Sequence, residues 1–269
     1  MIFPFRDNIP LRRTPVVTYA LIAINFAVAL YDVRLPAERQ QQFAYEHGFI
    51  PARMAQLGHG RAIEVHVPRH RDRDGRVVEH TFDLSPDPLP IFATFLTTMF
   101  IHGSWFHLLS NMWYLWIFGD NVEDRLGRLP FLCFYISGGL LASLCHWWHD
   151  PRSMLPVVGA SGAIAAVLGA YAVTFPWARI RSIVFVIIFF TIFELPALLV
   201  LGVWFLTQLV QANQDGMQLG MGGVAWWAHI GGFVAGAIIM PLIRDDPSEP
   251  EYAESYIEPG IEPLAEAGP

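Results

Sequence analysis

Apolar residues gather along this chain into long runs separated by polar or Gly/Pro breaks. A helix that crosses a bilayer needs about 20 such residues, and somewhat fewer where flanking side chains reach the interface. Six runs are candidates: Val16 to Tyr31, His102 to Phe118, Pro130 to Trp148, Leu155 to Trp177, Ile183 to Gln211 and Gly220 to Ile243. The first two are short and lean on apolar neighbours, and Pro196 is expected to kink the fifth. The pattern predicts an all-α, polytopic membrane protein with six transmembrane helices.

The intervening stretches divide the chain further. Residues 1–15 form an N-terminal segment, 16–243 the membrane domain, 32–90 a long first loop within it, and 244–269 a tail. Ala62 to Val67 and Val77 to Leu84 alternate partly around Asp74-Gly75, which reads as a small hairpin or a loosely ordered insert. The Pro- and Glu-rich tail cannot bury a core and is expected to be disordered.

Composition supports the membrane reading, since 54% of the 269 residues are hydrophobic and 15% charged. The formal charge of -7 resides in the tail, where eight acids and no base follow Arg244. The rest is nearly neutral, without the clustered bases and interleaved aromatics of a nucleic-acid footprint, so nucleic acid is excluded as a partner. Cys133 and Cys145 share one apolar run, where a helix would hold them about 18 Å apart and unable to pair. Placing the N-terminus in the cytoplasm puts eight Arg residues in the inner segments against Arg152 alone in the short outer loops. The long first loop carries eight more, but loops of that length translocate largely regardless of charge. The expected location is a bacterial plasma membrane, crossed several times.

Chemistry concentrates at three places. Gly159-Ala160-Ser161-Gly162 opens the fourth run, so Ser161 should sit at a helix N-terminus, where free N–H groups and the positive dipole end favour a developing oxyanion. Ser161, Ala165 and Gly169 also have the spacing of ordinary close helix packing. His229 places an ionisable group inside the sixth run, which is costly and marks a functional candidate. Gly232 and Gly236 would let that helix approach the fourth and aim His229 at it. His107 and Asn111, spaced i, i+4, share one face of the second run and could donate to an oxyanion; taken alone, they read as an interhelical hydrogen-bond pair. Alternating span direction puts Ser161, His229 and the His102, His107, Asn111 group in the same leaflet. No carboxylate lies in the outer halves of the runs, so a Ser-His dyad is implied. The histidines of the first loop, His59, His66, His70 and His80, lack zinc-type spacing, and no metal or cofactor is expected.

These blocks resemble the rhomboid family of intramembrane serine proteases. The likeness covers Val16 to Ile243 and rests on His102-Gly103-Ser104-Trp105-Phe106-His107 leading to Asn111; Phe118-Gly119 with Val122-Glu123-Asp124-Arg125-Leu126-Gly127; Gly159-Ala160-Ser161-Gly162; and Ala228-His229-Ile230-Gly231-Gly232 with Gly236. It implies a six-helix fold, Ser161 as nucleophile, His229 as general base, and His107 with Asn111 beside the oxyanion. His102, Gly159, Gly162, Gly232 and Gly236 would support the site, and Glu123 and Arg125 would serve the fold. Many relatives carry Trp-Arg where this chain has Ala93-Thr94. Many also carry an aromatic one turn after the nucleophile, where this chain has Ala165, so Trp226 or another aromatic is expected to orient His229.

The function expected is cleavage of transmembrane-protein substrates near their outer end, at Gly, Pro or small residues that loosen a helix, with the fifth span as a lateral gate. A non-catalytic rhomboid-like binder of transmembrane helices is the alternative, and its signature would be loss of Ser161 or His229. A metal-dependent membrane protease or transporter using His102, His107, His146, His149 and His229 would need an HExxH-type pair and carboxylates that the chain lacks. Natural substrate and oligomeric state are not encoded in any motif of the chain.

Overall fold

In the computed structural model, residues 2–71, 77–186, 189–215 and 224–243 are described. Strand β1 (Ile2–Arg6) precedes helices α1 (Val16–Asp32) and α2 (Ala37–His47), a 3-10 turn at Pro51–Ala55 and the short α3 (Gln56–His59). The hairpin β2 (Ile63–Arg71) and β3 (Val77–Leu84) leads to α4 (Pro88–Thr97). A nearly continuous rod follows: α5 (Trp105–Tyr114), a π-helical turn over Leu115–Gly119, and α6 (Asp120–Leu126). Helices α7 (Arg128–His149) and α8 (Ser161–Thr174), strands β4 (Arg179–Val186) and β5 (Phe189–Pro196), and helices α9 (Ala197–Asp215) and α10 (Trp226–Ile243) complete the chain.

Helix α8 is the axis of the bundle. Every residue from Ala163 to Ala172 is buried, which fits a helix that is apolar all round. Glycines bring its neighbours to backbone contact: a Cβ on Gly232 would strike the Gly162 carbonyl, one on Gly236 the Ala166 carbonyl, and one on Gly169 the Phe233 carbonyl. The expected close packing of the fourth and sixth runs is therefore present, and α7 joins α8 through Gly138 against Ala166 and Gly139 against Ala163. On the perimeter, Leu206, Ile238, Leu242 and Trp148 are exposed large apolar residues, which suits a surface facing lipid.

By length and composition, α7, α9 and α10 can each cross a membrane, and a fourth crossing is added if α4 and the α5–α6 rod, bent by 78° at their junction, count as one span. Helices α1 and α8 are apolar but shorter. The chain is thus a mostly helical, multi-pass membrane protein.

The all-α expectation is corrected by two antiparallel sheets, β2-β3 and β1-β4-β5. The predicted fifth span from Ile183 to Gln211 is in fact two elements: strands over Arg179–Pro196, then α9. Its first half is rich in β-branched and aromatic residues, and an apolar run of that kind fits a strand as well as a helix. Pairing Arg181 with Glu194 across the ladder, with a 2.9 Å ion pair, adds a cross-strand contact that a helix would forfeit. Pro196 accordingly closes a strand and kinks no helix. The sixth helix starts at Trp226, not near Gly220, so His229 lies within its first turn. The hairpin in the first loop is present, while its Asp74-Gly75 turn and the acidic tail, 244–269, lie outside the described residues.

Glu123 ties the second long helix to the first. Its two carboxylate oxygens accept from the Val17 and Thr18 N–H groups at 2.9 and 2.7 Å, satisfying donors that Pro15, at the cap position of α1, cannot. Asp124 accepts from the backbone of Arg12 and Arg13 at 3.1 and 3.0 Å. The structural role expected for Glu123 is thereby given a concrete form.

Candidate active site

Ser161 is the first residue of α8, and the strand-like approach to it is stitched on both sides. Phe49 and Val157 exchange backbone hydrogen bonds of 3.0 and 2.8 Å, Ala52 N–H donates to the Ser153 carbonyl at 3.0 Å, and Gly159 N–H donates to the Thr98 carbonyl at 2.9 Å. The Thr98 hydroxyl donates to the Val157 carbonyl. Part of the long first loop is thus a brace for the nucleophile segment, a function no motif announced. Thr97 adds to it through a 2.6 Å bond to the His47 carbonyl, so threonines anchor this region where Ala93-Thr94 replace the family's usual pair. His102 is buried, and its Nε2 accepts from the Ala160 N–H at 3.4 Å, a long bond that supports the same turn.

Gly159 has φ of +124°, a conformation that a side chain would strain. A Cβ there would also lie 2.7 and 2.8 Å from the His107 ring and 3.6 Å from Asn111 Nδ2. Only glycine leaves this space open. His107 and Asn111, both on α5, therefore border the backbone just ahead of Ser161. Ser104 caps α5 by accepting from His107 N–H at 3.1 Å, which fixes the helix start that carries them. Asn111 is buried, and its Nδ2 has no hydrogen-bond partner among the described residues, an unspent donor facing the gap.

His229 closes the site from α10. Its Nε2 lies 2.8 Å from Ser161 Oγ, and the ring is 8% exposed, so the pair is shielded while Ser161 remains partly accessible. On the other side of the ring, Nδ1 lies 2.8 Å from Gln208 Oε1 of α9. The Trp226 ring stands edge-on at 5.9 Å and the Trp204 ring is tilted at 6.0 Å. The expected aromatic neighbours are present, but the polar contact comes from Gln208, which the sequence reading missed. Its signal was available: a buried amide in an apolar helix needs a partner.

Ser161, His229, His102, His107 and Asn111 are all brought together, with Gly159, Gly162, Gly232 and Gly236 at the close approaches named above. A hydroxyl hydrogen-bonded to an imidazole can pass its proton to that ring on attacking a carbonyl, and a free amide donor nearby can meet the charge that develops. Two other histidines have partners of their own: His149 stacks on Trp227 at 4.3 Å, and His59 contacts the Ala55 carbonyl at 2.9 Å. Among the described residues no group of three or more His, Cys, Asp or Glu could hold a metal ion.

Comparison with known proteins agrees on one family. The Rhomboid domain model matches residues 91–245. The chain is 32% identical over 161 residues to "Rhomboid protein 1, mitochondrial" of Saccharomyces cerevisiae, covering 58% of this chain and 43% of that one. It is 29% identical over 175 residues to "Rhomboid-like protein 11, chloroplastic" of Arabidopsis thaliana, covering 59% and 55%. "Presenilin-associated rhomboid-like protein, mitochondrial" of Homo sapiens is 29% identical over 163 residues, covering 60% and 40%. The match spans roughly half the length of these relatives. Their organellar names stand against the expectation of a bacterial plasma membrane for this chain, while its multi-pass membrane character holds.

Proposed function

The chain belongs to the rhomboid family, and from the site built on that framework we propose that it is an intramembrane serine endopeptidase acting on transmembrane segments of other membrane proteins. Six crossings, α1, the α5–α6 rod, α7, α8, α9 and α10, with the N-terminus on the inner side of the membrane, would put the site in the outer leaflet. The observation that carries the reading is the 2.8 Å contact between Ser161 Oγ and His229 Nε2, beside the buried Asn111 Nδ2, which has no hydrogen-bond partner among the described residues.

In this mechanism Ser161 Oγ attacks the scissile carbonyl as His229 Nε2 takes its proton. The carbonyl oxygen becomes an anion held by Asn111 Nδ2, by His107 and by backbone N–H groups in the first turn of α8. A donor so placed contributes on the order of 3 kcal/mol to the transition state. The imidazolium then protonates the leaving amine, and water frees the acyl-enzyme by the same path in reverse. Helical substrates hide their carbonyls in hydrogen bonds, so Gly, Pro or other weak helix formers near the cut favour exposure. Lateral access past α9 suits this geometry, because α9 lies against His229 through Gln208.

Replacing Ser161 with Ala should abolish cleavage of a model transmembrane substrate in detergent, and a fluorophosphonate should label the natural chain at Ser161. Undiminished cleavage by S161A would end this reading.

A further inference from the structure

Gln208 sits in α9 among Leu206, Leu209 and Val210, yet it is only 5% exposed and every polar atom of its amide is engaged. Its Nε2 lies 3.0 Å from the Trp204 carbonyl and 3.1 Å from Thr207 Oγ1. A carbonyl only accepts, so the NH2 end of the amide must face Trp204 and the oxygen end must face His229. That oxygen in turn only accepts. Nδ1 of His229, 2.8 Å away, must therefore carry the ring proton. A neutral imidazole with its proton on Nδ1 presents a lone pair at Nε2, the atom that faces the Ser161 hydroxyl at 2.8 Å.

We propose that Gln208 is a positioning residue that sets the tautomer of His229, so that the site works as a Ser161–His229 dyad oriented by an uncharged amide. The inference rests on the protease reading above and adds the group that arms its base. An amide suits the place better than a carboxylate would: it orients the ring without adding a desolvated charge within the apolar bundle. The assignment couples the base to α9. If α9 swings outward to admit a substrate helix, Oε1 leaves Nδ1 and the ring is free to take the other tautomer or turn. The base is armed when α9 lies back against α10, which ties proton abstraction to closure around a seated substrate.

Two variants separate orientation from packing. Gln208→Met keeps the length and bulk but removes the acceptor; Gln208→Glu in its neutral acid form can still donate to the Trp204 carbonyl and accept from Nδ1. The expected result is that Gln208→Met lowers kcat about 10- to 100-fold with KM within about twofold, and that Gln208→Glu recovers most of that loss. This is smaller than the roughly 10⁴-fold cost of a mis-set tautomer where the orienting group is a buried carboxylate. The histidine nitrogens report directly: in ¹⁵N-histidine-labelled protein, the His229 signal, assigned by its loss in His229→Gln, should show Nδ1 protonated in the natural chain and a tautomer mixture in Gln208→Met. Cleavage that depends on Ser161 but keeps its kcat in Gln208→Met, or a His229 signal with the proton on Nε2 in the natural chain, overturns the role of Gln208 alone. Cleavage that survives S161A overturns the protease reading and this inference together.

Discussion

The two ends of α8 put polar groups to opposite uses. At the end away from Ser161, carboxylates hold the chain together: Glu123 caps α1, Asp124 takes two backbone donors, and Asp7 accepts from the Tyr171 hydroxyl at 2.6 Å and from Asn121 Nδ2 at 2.7 Å. At the Ser161 end, neutral groups meet in short contacts and Asn111 Nδ2 is left unspent. A satisfied carboxylate fixes geometry, whereas an unsatisfied donor keeps capacity for a charge that exists only during reaction. The difference teaches which residues should be read as scaffold and which as chemistry, although the same family motifs contain both.

The comparison can be broken most sharply at Asn111. Asn111→Ala should lower kcat about 100-fold while moving unfolding stability by less than about 0.5 kcal/mol, because no partner of Nδ2 is lost. A large fall in melting temperature with unchanged kcat would move Asn111 to the scaffold. Glu123→Ala should do the reverse: about 1–3 kcal/mol of stability lost as two N–H donors of α1 lose their acceptor, with activity per folded molecule retained. Denaturant titration in detergent, followed by assay of the folded fraction, reads both. Asp7 gives a smaller, pH-dependent effect. Burial lifts its carboxyl from 3.8 to about 6, against the pull of the Tyr171 hydrogen bond. The folded state therefore holds this proton more tightly than the unfolded chain does. Its contribution is full below about 4 and is lost as pH rises through about 6, by up to about 3 kcal/mol. Asp7→Asn should flatten that part of the stability profile, and an unchanged slope would remove Asp7 as its source.

Much of this was legible before any coordinates. The starts expected at Val16 and Pro130 fall at, and two residues after, the starts of α1 at Val16 and α7 at Arg128, because apolar length and polar flanks report spans directly. Ser161 and His229 were legible because an uncommon polar group in an apolar run demands a reason. The strands at Arg179–Pro196 were not, since hydrophobicity alone is silent on whether an apolar run coils or extends. Helix α4, Pro88–Thr97, falls mostly between the first loop, 32–90, and the run from His102, where the sequence reading places no element; its Pro-Leu-Pro start resembles a break, although proline is at home in a first helical turn. The Phe49–Val157 bridge joins residues more than a hundred apart, and Gln208, though conspicuous as an amide in an apolar run, takes its meaning from a partner on another helix that the run does not name.

The glycines between α8 and α10 have one more consequence. Because the two helices touch main chain to main chain, the backbone positions that carry Ser161 and His229 are fixed relative to each other, and only rotation of the side chains themselves can part the two groups. Thermal slack in the molecule must then be taken up elsewhere. A change of detergent or acyl-chain length should alter how fast substrates arrive at the site far more than it alters the proton transfer once they are there.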